Sequence, residues 1–350
     1  MTSGKFHLSL AGKRILNYGI SIVLTVLFLF IAFNNVNVLE VIEIVSHASL
    51  LWIAVYIIVL LASHYLRALR WKVILRSVKP NTSIKHLFGA IMVGYGVNCV
   101  VPRLGEISRP VILAKWEGLS RSSMFGTVIF ERIVDIIFLG LALIISLFIW
   151  QDIIKNFPWL TFALYASAAL MIVAILFIYL TVKYRQRFYG VFVKILGKIS
   201  GKFSGRIAHI FEMMIEGFTS LKGFKNHIEA FILGGLIMIL YALSAYVGFF
   251  LLGMERIQPV SFSMAWVLMS ISAIGVIIPT PGATGSYHTI AKSVLVLLFG
   301  FGETISVAYA FLTHIISYFL FIFTALIVFF LLNKQHDNLI KVVKPDLDQL

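Results

Sequence analysis

Two short interruptions in a strongly apolar chain hold most of the side chains that could bind a polar ligand. The first break runs from Asn98 to Pro110 and contains Arg103, Glu106 and Arg109. Its prolines and its glycine prevent a continuous helix. Non-helical backbone at membrane depth is tolerated only where protein or a water-filled cavity surrounds it. We therefore treat Asn98, Arg103, Glu106 and Arg109 as candidate substrate-binding residues, with the arginines suited to phosphate.

The second break lies near the other end of the chain and is polar without carrying acids or arginines. Its candidate binding residues are Pro279, Pro281, Gly282, Gly285, Tyr287 and His288. The flanking apolar stretches, Phe262–Ile278 and Thr289–Gly300, are each shorter than the about 20 residues that a membrane-spanning helix needs. Paired Gly/Pro-interrupted segments in corresponding halves are typical of transporter binding sites. We therefore predict that the two breaks meet near the middle of the membrane.

Glu131, Arg132 and Asp135 form a charged group inside an apolar span. Their spacings of one, three and four residues place them on one broad helix face. Charges at this depth are costly and are functional candidates by default. The group is net negative, so we expect Arg103 or Arg109 to join it. A buried ion-pair network that only holds the first break to the span is the alternative.

Other polar side chains have ordinary structural explanations. Arg67 and Arg70 end the second span beside Trp71, where anchoring at the membrane interface accounts for them and headgroup contact is the alternative. His314 lies roughly 16 Å along its span from Glu303, at about 1.5 Å per residue. A hydrogen-bonded structural histidine is the default there, and a proton relay is the alternative.

The composition identifies a multi-pass membrane protein. Of 350 residues, 60% are hydrophobic and 13% are charged, against about a quarter charged in soluble domains. The net charge of +14 comes from basic residues between apolar spans, which follows the positive-inside bias rather than nucleic-acid binding. Cys99 is the single cysteine, which excludes an intrachain disulfide. We expect no metal, no cofactor and no enzyme activity, because HExxH, glycine-loop and nucleophile-elbow motifs are missing.

The apolar and basic segments predict the topology. Spans are expected at about 15–33, 48–69, 123–150, 159–182, 228–252 and 304–332. Asn34–His47 is acidic, whereas the connection 183–227 is strongly basic, so both termini should face the cytoplasm. Each break must then return to the side from which it enters. The prediction is an all-α inverted repeat with six spans and two re-entrant hairpins, divided into 1–152 and 153–350.

Two alternatives stay open at this point. Both broken segments could cross the membrane fully, which would give about ten spans. The connection 183–227 reads as basic amphipathic helices on the inner membrane surface, or equally as a solvated linker.

Four motifs taken together resemble a known family. They are Arg67-x-x-Arg70-Trp71, Asn98-x-x-x-Pro102-Arg103-x-Gly105-Glu106-x-x-Arg109, Glu131-Arg132-x-x-Asp135 and Pro279-x-Pro281-Gly282-x-x-Gly285. These motifs, in this order, resemble those of the lysylphosphatidylglycerol synthase transmembrane-region family. That family is the flippase-like membrane domain of the multiple peptide resistance factor. His288 departs from the pattern, since a glutamate is expected in the family's second break. The soluble aminoacyltransferase domain is not part of the resemblance, so lipid synthesis is not expected.

The resemblance implies a plasma-membrane protein that translocates or binds an anionic phospholipid or a lipid-linked headgroup. The expected partners are membrane lipids, and an oligomer is compatible with the sequence. One alternative is a membrane subunit that presents lipid to a separate glycosyl- or aminoacyltransferase. Another is an ion-coupled transporter of a small solute.

Overall fold

The described part of the protein is all-α, with helices joined by turns and short loops. The computed structural model describes residues 10–76, 78–151, 153–183 and 224–333. In chain order the helices are α1 (Leu10–Phe33), α2 (Val38–Ser46), α3 (Leu50–Leu75), α4 (Ile84–Val100), α5 (Gly105–Glu117), α6 (Arg121–Ile149), α7 (Ile153–Asn156), α8 (Pro158–Lys183), α9 (Phe224–Leu251), α10 (Phe262–Ile277), α11 (Ser286–Leu297) and α12 (Glu303–Asn333). Most of the predicted amphipathic connection 183–227 lies outside the described residues.

Among the residues that the structure describes, four helices are long and apolar enough to cross a membrane: α3, α6, α9 and α12. The α1–α2 pair is bent by 83° and adds a fifth span if the pair is counted as one. The 26-residue α8 covers the predicted span at 159–182. The chain is therefore a multi-pass membrane protein, and the total of six full spans stays a prediction.

Both breaks separate two helices that are individually short. The first lies between α4, with 17 residues, and α5, with 13 residues. The second lies between α10, with 16 residues, and α11, with 12 residues. None of the four reaches the about 20 residues of a full span. That these hairpins return to the side from which they enter stays a prediction.

A close glycine contact closes each hairpin in the same way. The Cβ that alanine would add at Gly94 falls 3.1 Å from the carbonyl oxygen of Gly105, the first residue of α5. A Cβ at Gly275 falls 2.9 Å from the carbonyl oxygen of Ser286, the first residue of α11. Each pair is separated by 11 residues in the chain. In both hairpins, the glycine of the first helix therefore lies against the residue 11 positions later in the chain, which begins the second helix.

Helix contacts also follow the same order in the two halves. In the first half, α3 packs on α4, and α5 packs on α6. In the second half, α9 packs on α10, and α11 packs on α12. Between the halves, α3 packs on α9, α4 on α12 and α6 on α10. Exchanging the halves interchanges the α4–α12 and α6–α10 contacts and leaves the α3–α9 contact as it is. One apolar core surrounds Trp71 and Leu113, and a second surrounds Leu268 and Val294, so each hairpin is fixed in its own core.

Candidate functional site

Charged side chains from three helices meet in one place, which we call the charge cluster. Helix α3 contributes two arginines, α5 contributes one glutamate and one arginine, and α6 contributes the acidic pair and one arginine. Its members are Arg67, Arg70, Glu106, Arg109, Glu131, Arg132 and Asp135. The first break supplies the α5 residues, so the cluster joins that break to the neighbouring spans.

Glu131 is the buried centre of the charge cluster, with no exposed surface. Its Oε1 accepts hydrogen bonds from Nη2 of Arg67 at 2.7 Å and from Nη2 of Arg70 at 3.2 Å. Its Oε2 lies 3.1 Å from Nη1 of Arg109. Asp135 accepts hydrogen bonds from the same two α3 arginines, at 3.0 Å from Nη2 of Arg67. These two acids are therefore held by several cations at once.

Aromatic side chains enclose the arginines. Arg67 Nη1 donates hydrogen bonds to the hydroxyls of Tyr95, at 2.8 Å, and Tyr241, at 3.1 Å. The guanidinium carbon of Arg109 lies 5.3 Å from the centre of the Trp71 ring, a cation–π contact. Trp71 in turn donates its indole N–H to Thr127 at 2.9 Å. The arginine orientations are thus determined by neighbours on α3, α4, α6 and α9.

Glu106 and Arg132 form the exposed edge of the charge cluster. Their side chains are 35% and 38% exposed, more than any other member. Glu106 Oε2 lies 3.0 Å from Arg132 Nε and 3.6 Å from Arg109 Nη2. Glu106 contacts two arginines where Glu131 contacts three, and Glu106 is partly exposed where Glu131 is fully buried. Glu106 is therefore the carboxylate that an incoming anion could replace at the lowest cost.

The charge cluster has an excess of positive charge. Four guanidinium groups face three carboxylates, which leaves one net positive charge. Among the described residues, six buried arginine donors of the cluster have no hydrogen-bond partner, against two carboxylate oxygens, Oε2 of Glu106 and Oε2 of Glu131. The donors are Nε of Arg67, Nε and Nη1 of Arg70, Nε and Nη2 of Arg109, and Nε of Arg132. A buried donor without an acceptor is destabilising. An anion that supplies several acceptor oxygens would therefore stabilise this arrangement.

Several sequence-based expectations agree with this geometry, and one is wrong. Arg109 joins Glu131, as expected, and Arg132 lies 3.4 Å from Asp135. Arg67 and Arg70 are 4% and 0% exposed, so the interpretation that they anchor the protein at the membrane interface is wrong. The three-residue spacing that puts both on one face beside Trp71 was the available signal. Tyr95 and Tyr241 were missed, because nothing in the sequence separates them from other aromatic residues of the spans.

Arg103 lies at the tip of the first break and is directed away from the acids. Its backbone has φ 63°, in the left-handed region. Its Nη2 donates a hydrogen bond to the carbonyl oxygen of Ile277 at 2.8 Å, at the end of α10. The Asn98 amide oxygen accepts a hydrogen bond from the Gly105 amide at 2.6 Å. Asn98 therefore stabilises the backbone at the tip of the first break, and Arg103 connects that tip to the second break.

The two breaks contact each other, as the sequence predicted, and their position near the middle of the membrane stays a prediction. A Cβ at Gly282, where φ is 56°, would meet the Tyr318 ring at 2.8 Å and the Cα of Cys99 at 3.5 Å. Tyr318 donates its hydroxyl to the Cys99 carbonyl at 2.7 Å. Between Pro279 and Pro281, the Thr280 hydroxyl lies 3.1 Å from the Ser286 hydroxyl.

The second break carries a neutral polar group around two histidines. The Gly285 amide donates to Nδ1 of His288 at 3.2 Å, so that nitrogen carries no proton and the ring is neutral. His314 Nε2 lies 3.2 Å from the Thr284 hydroxyl, and the two imidazole rings are 4.6 Å apart. The Tyr287 hydroxyl lies 3.1 Å from that of Thr313. Both histidines are thus hydrogen-bonded, as expected of structural histidines, and a proton relay stays the untested alternative.

A salt-bridge group holds the open end of the first hairpin, outside the spans. Glu117 lies 2.6 Å from Lys79 Nζ and 2.6 Å from His86 Nδ1, and it accepts the Ser83 amide at 3.0 Å. Burial alone would raise the pKa of Glu117, but these bonds outweigh burial and lower the pKa below its usual value. In the part of the chain that is described, no group of three or more His, Cys, Asp or Glu could hold a metal ion.

Comparisons with known proteins place the chain in a family. The family model described as the lysylphosphatidylglycerol synthase TM region matches residues 18–327. A UPF0104 membrane protein of Methanothermobacter thermautotrophicus is 34% identical over 112 residues, 30% of this chain and 32% of that protein. A UPF0104 membrane protein of Methanocaldococcus jannaschii is 23% identical over 304 residues, 82% of this chain and 86% of that protein. No solved structure matches the chain significantly.

The family match includes both breaks and every member of the charge cluster, since Arg67 to His288 lie within the matched residues. The chain belongs to the family of the lysylphosphatidylglycerol synthase transmembrane region.

Proposed function

We propose that this protein is a lipid translocase that binds the anionic headgroup of a phospholipid or lipid-linked molecule at the charge cluster. The observation that supports this most is the excess positive charge together with the unpaired N–H groups of Arg109 and Arg132. Arginine donors match the oxygens of a phosphate in a two-point geometry. A phosphate at Arg109 and Arg132 would supply acceptors that the three carboxylates do not.

The headgroup enters by exchange with Glu106. The carboxylate leaves Arg132 and Arg109, and the phosphate takes its position against Arg132 Nε and Arg109 Nη2. Glu131 and Asp135 stay bound to the α3 arginines and keep the guanidinium groups in place. Arg109 and Arg132 face an anionic group both before and after the exchange, and the released Glu106 lies at the exposed edge of the charge cluster. This matters because an unpaired charge buried within a membrane is costly.

The second break receives the headgroup after the first. Its polar groups are hydroxyls, amides and imidazoles, so it has no carboxylate that would repel a phosphate. Arg103 connects it to the first break through the carbonyl of Ile277. The equal hairpin spacing and the exchangeable order of helix contacts support an inverted repeat with the site between its halves. The acyl chains would stay in the bilayer while the headgroup crosses between the breaks.

No chemical transformation is part of this proposal. The alternative, a membrane subunit that presents lipid to a separate transferase, predicts binding without movement. Purified full-length protein, reconstituted alone into liposomes with fluorescent phosphatidylglycerol or phosphatidylcholine in the inner leaflet, distinguishes the two. We expect phosphatidylglycerol to reach the outer leaflet at least tenfold faster than in protein-free liposomes and faster than phosphatidylcholine. Rates equal to those of protein-free liposomes for both lipids, and for lipids with other anionic headgroups, would reject translocation.

A further inference from the structure

An open groove of about 560 Å³ runs between α3 and α9, where α3 ends and α9 begins. Its walls are apolar along Leu69, Ile228 and Ile232, and its rim carries Lys72, Arg76 and Lys225. Binding sites for small molecules commonly fall between about 300 and 1,000 Å³. The groove is therefore large enough to hold part of an amphiphile.

This groove is separate from the charge cluster, although both use α3. Leu69, Lys72 and Arg76 follow the i, i+3, i+7 spacing of one helix face. Arg67 and Arg70 lie about 100–160° around the helix from Leu69, and they face α6. The groove therefore belongs to an outer face of the bundle, where Ile228 and Ile232 are 43% and 56% exposed.

Charge is distributed unevenly along the groove. Arg76 pairs with Glu229 through two contacts of 2.8 and 3.0 Å and donates to Asn226 at 2.8 Å, which ties the end of α3 to the start of α9. Three cations and one carboxylate line the groove, so Lys72 and Lys225 remain as its excess positive charge. Both lie at the end nearest the helix termini, while Leu69 and Ile232 continue toward the middle of the spans. The groove thus has the polarity of a lipid, with a cationic end and an apolar channel.

We propose that the groove binds one anionic phospholipid, with its phosphate between Lys72 and Lys225 and an acyl chain along Leu69, Ile228 and Ile232. Charge complementarity identifies the occupant, because basic pockets between helices at a membrane surface select anionic headgroups. The lipid reinforces the contact between α3 and α9 beside the Arg76–Glu229 pair. Because α3 also carries Arg67 and Arg70, the bound lipid supports the helix that holds the charge cluster.

Photocrosslinking in lipid nanodiscs tests the proposal with the full-length chain. Benzoylphenylalanine is introduced at Ile232, inside the groove, and in a separate sample at Phe323, which is 65% exposed on α12 and serves as the matched control. The nanodiscs contain equal amounts of phosphatidylglycerol and phosphatidylcholine. Mass spectrometry of the adducts should show phosphatidylglycerol enriched several-fold at Ile232 and the bulk ratio at Phe323.

Neutralising the two lysines tests the role of the rim. Each basic side chain near an anionic headgroup contributes about a fivefold factor in affinity, so Lys72→Gln with Lys225→Gln should lower phosphatidylglycerol affinity by up to about 25-fold and return the adduct ratio at Ile232 to the bulk value. Lys85→Gln with Arg121→Gln removes two exposed charges elsewhere and should leave the ratio unchanged. A bulk ratio at Ile232 in the unsubstituted groove would overturn the proposal. Crosslinks from Ile232 to residues 184–223 instead of lipid would also overturn it.

Discussion

At the scale of single residues, the charge cluster separates acids that are held firmly from one that is not. Glu131 is fully buried and contacts three arginines, whereas Glu106 is 35% exposed and its nearest cation, Arg132, is itself 38% exposed. The contacts of Glu131 hold the arginines in a fixed orientation, whereas those of Glu106 allow an incoming anion to replace this carboxylate. The difference follows from position, since Glu131 lies inside α6 and Glu106 lies in the first turn of α5.

Glu131→Gln should destabilise the protein strongly, because several buried arginines would lose their shared carboxylate. Removing one partner of a buried ion pair costs about 3–5 kcal/mol. Glu229→Gln, which breaks the half-exposed pair with Arg76, should cost less than about 1 kcal/mol. Thermal unfolding of both variants in the same detergent checks this. Equal Tm values for the two would contradict the central place of Glu131.

Arg103→Lys tests the link between the two breaks. Lysine keeps the charge but loses the planar guanidinium, so its bond to the Ile277 carbonyl should be less well oriented. We expect normal insertion and unfolding but translocation slowed several-fold, measured in the liposome assay. Full translocation by both Arg103→Lys and Arg103→Ala would show that this arginine is dispensable for function.

At the scale of elements, the hairpins were predictable from the sequence. Their prolines and glycines and the short flanking apolar stretches predicted two broken segments, and the structure places breaks at both positions. The three-residue spacing of Arg67 and Arg70 indicates that both lie on one face of α3. It does not tell which neighbouring helix that face meets, so their contacts with Glu131 and Asp135 were not predictable. Arg103 or Arg109 was expected to join the acids, and Arg109 does so. The bond of Arg103 to the Ile277 carbonyl depends on a tip geometry that the sequence does not encode locally.

Gly105→Ala should strongly destabilise the first hairpin. A Cβ at Gly105 would fall 1.9 Å from the carbonyl oxygen of Gly94 and 2.6 Å from the Asn98 amide oxygen, so the backbone must move. We expect a loss of more than about 2 kcal/mol in unfolding free energy. Gly235→Ala is the control, since its Cβ would meet only Phe138 at an ordinary 3.9 Å. An unchanged Tm in both variants would disprove the tight closure.

The contacts of Glu117 that hold the open end of the first hairpin should become less stabilising at acid pH. The pKa of folded Glu117 is lowered, so its stabilising contribution is present above the ordinary carboxyl value of about 4.3 and is lost as pH falls through the lower folded value. Glu117→Gln should lower Tm by a few degrees at neutral pH and remove this part of the acid sensitivity. Hydrogen exchange in α4 and α5 between pH 6 and pH 3, measured for both proteins, checks the sign. Greater protection of the unsubstituted hairpin in acid would contradict it.

At the scale of the whole molecule, the order of helix contacts stays the same when the two halves are exchanged, which is compatible with a repeat. That the second half is inverted relative to the first stays a prediction from the positions of Lys and Arg in the connections. The number of spans and the sidedness need independent measurement, because helix length does not tell which way a helix crosses.

Accessibility tags provide that measurement. Tags at Asn37, Gln151 and Gln258 should report the outside of the cell, and a tag at the C-terminus should report the inside. The reason is the contrast between acidic and basic connections. A cytoplasmic report from Gln258 would remove the argument for the inverted repeat.

The central claim is that the excess arginine charge of the cluster binds an anionic headgroup, and Arg109 tests it most directly. Arg109→Lys keeps the charge but loses the two-point geometry, and Arg109→Gln also removes the excess charge. In liposomes, we expect the phosphatidylglycerol rate to fall by at least about tenfold in each variant, as loss of a charge-assisted hydrogen bond of about 1.5–3 kcal/mol predicts. The exposed Arg121→Lys should translocate at the unsubstituted rate. Phosphatidylglycerol translocation at the full rate by folded Arg109→Gln would contradict the account.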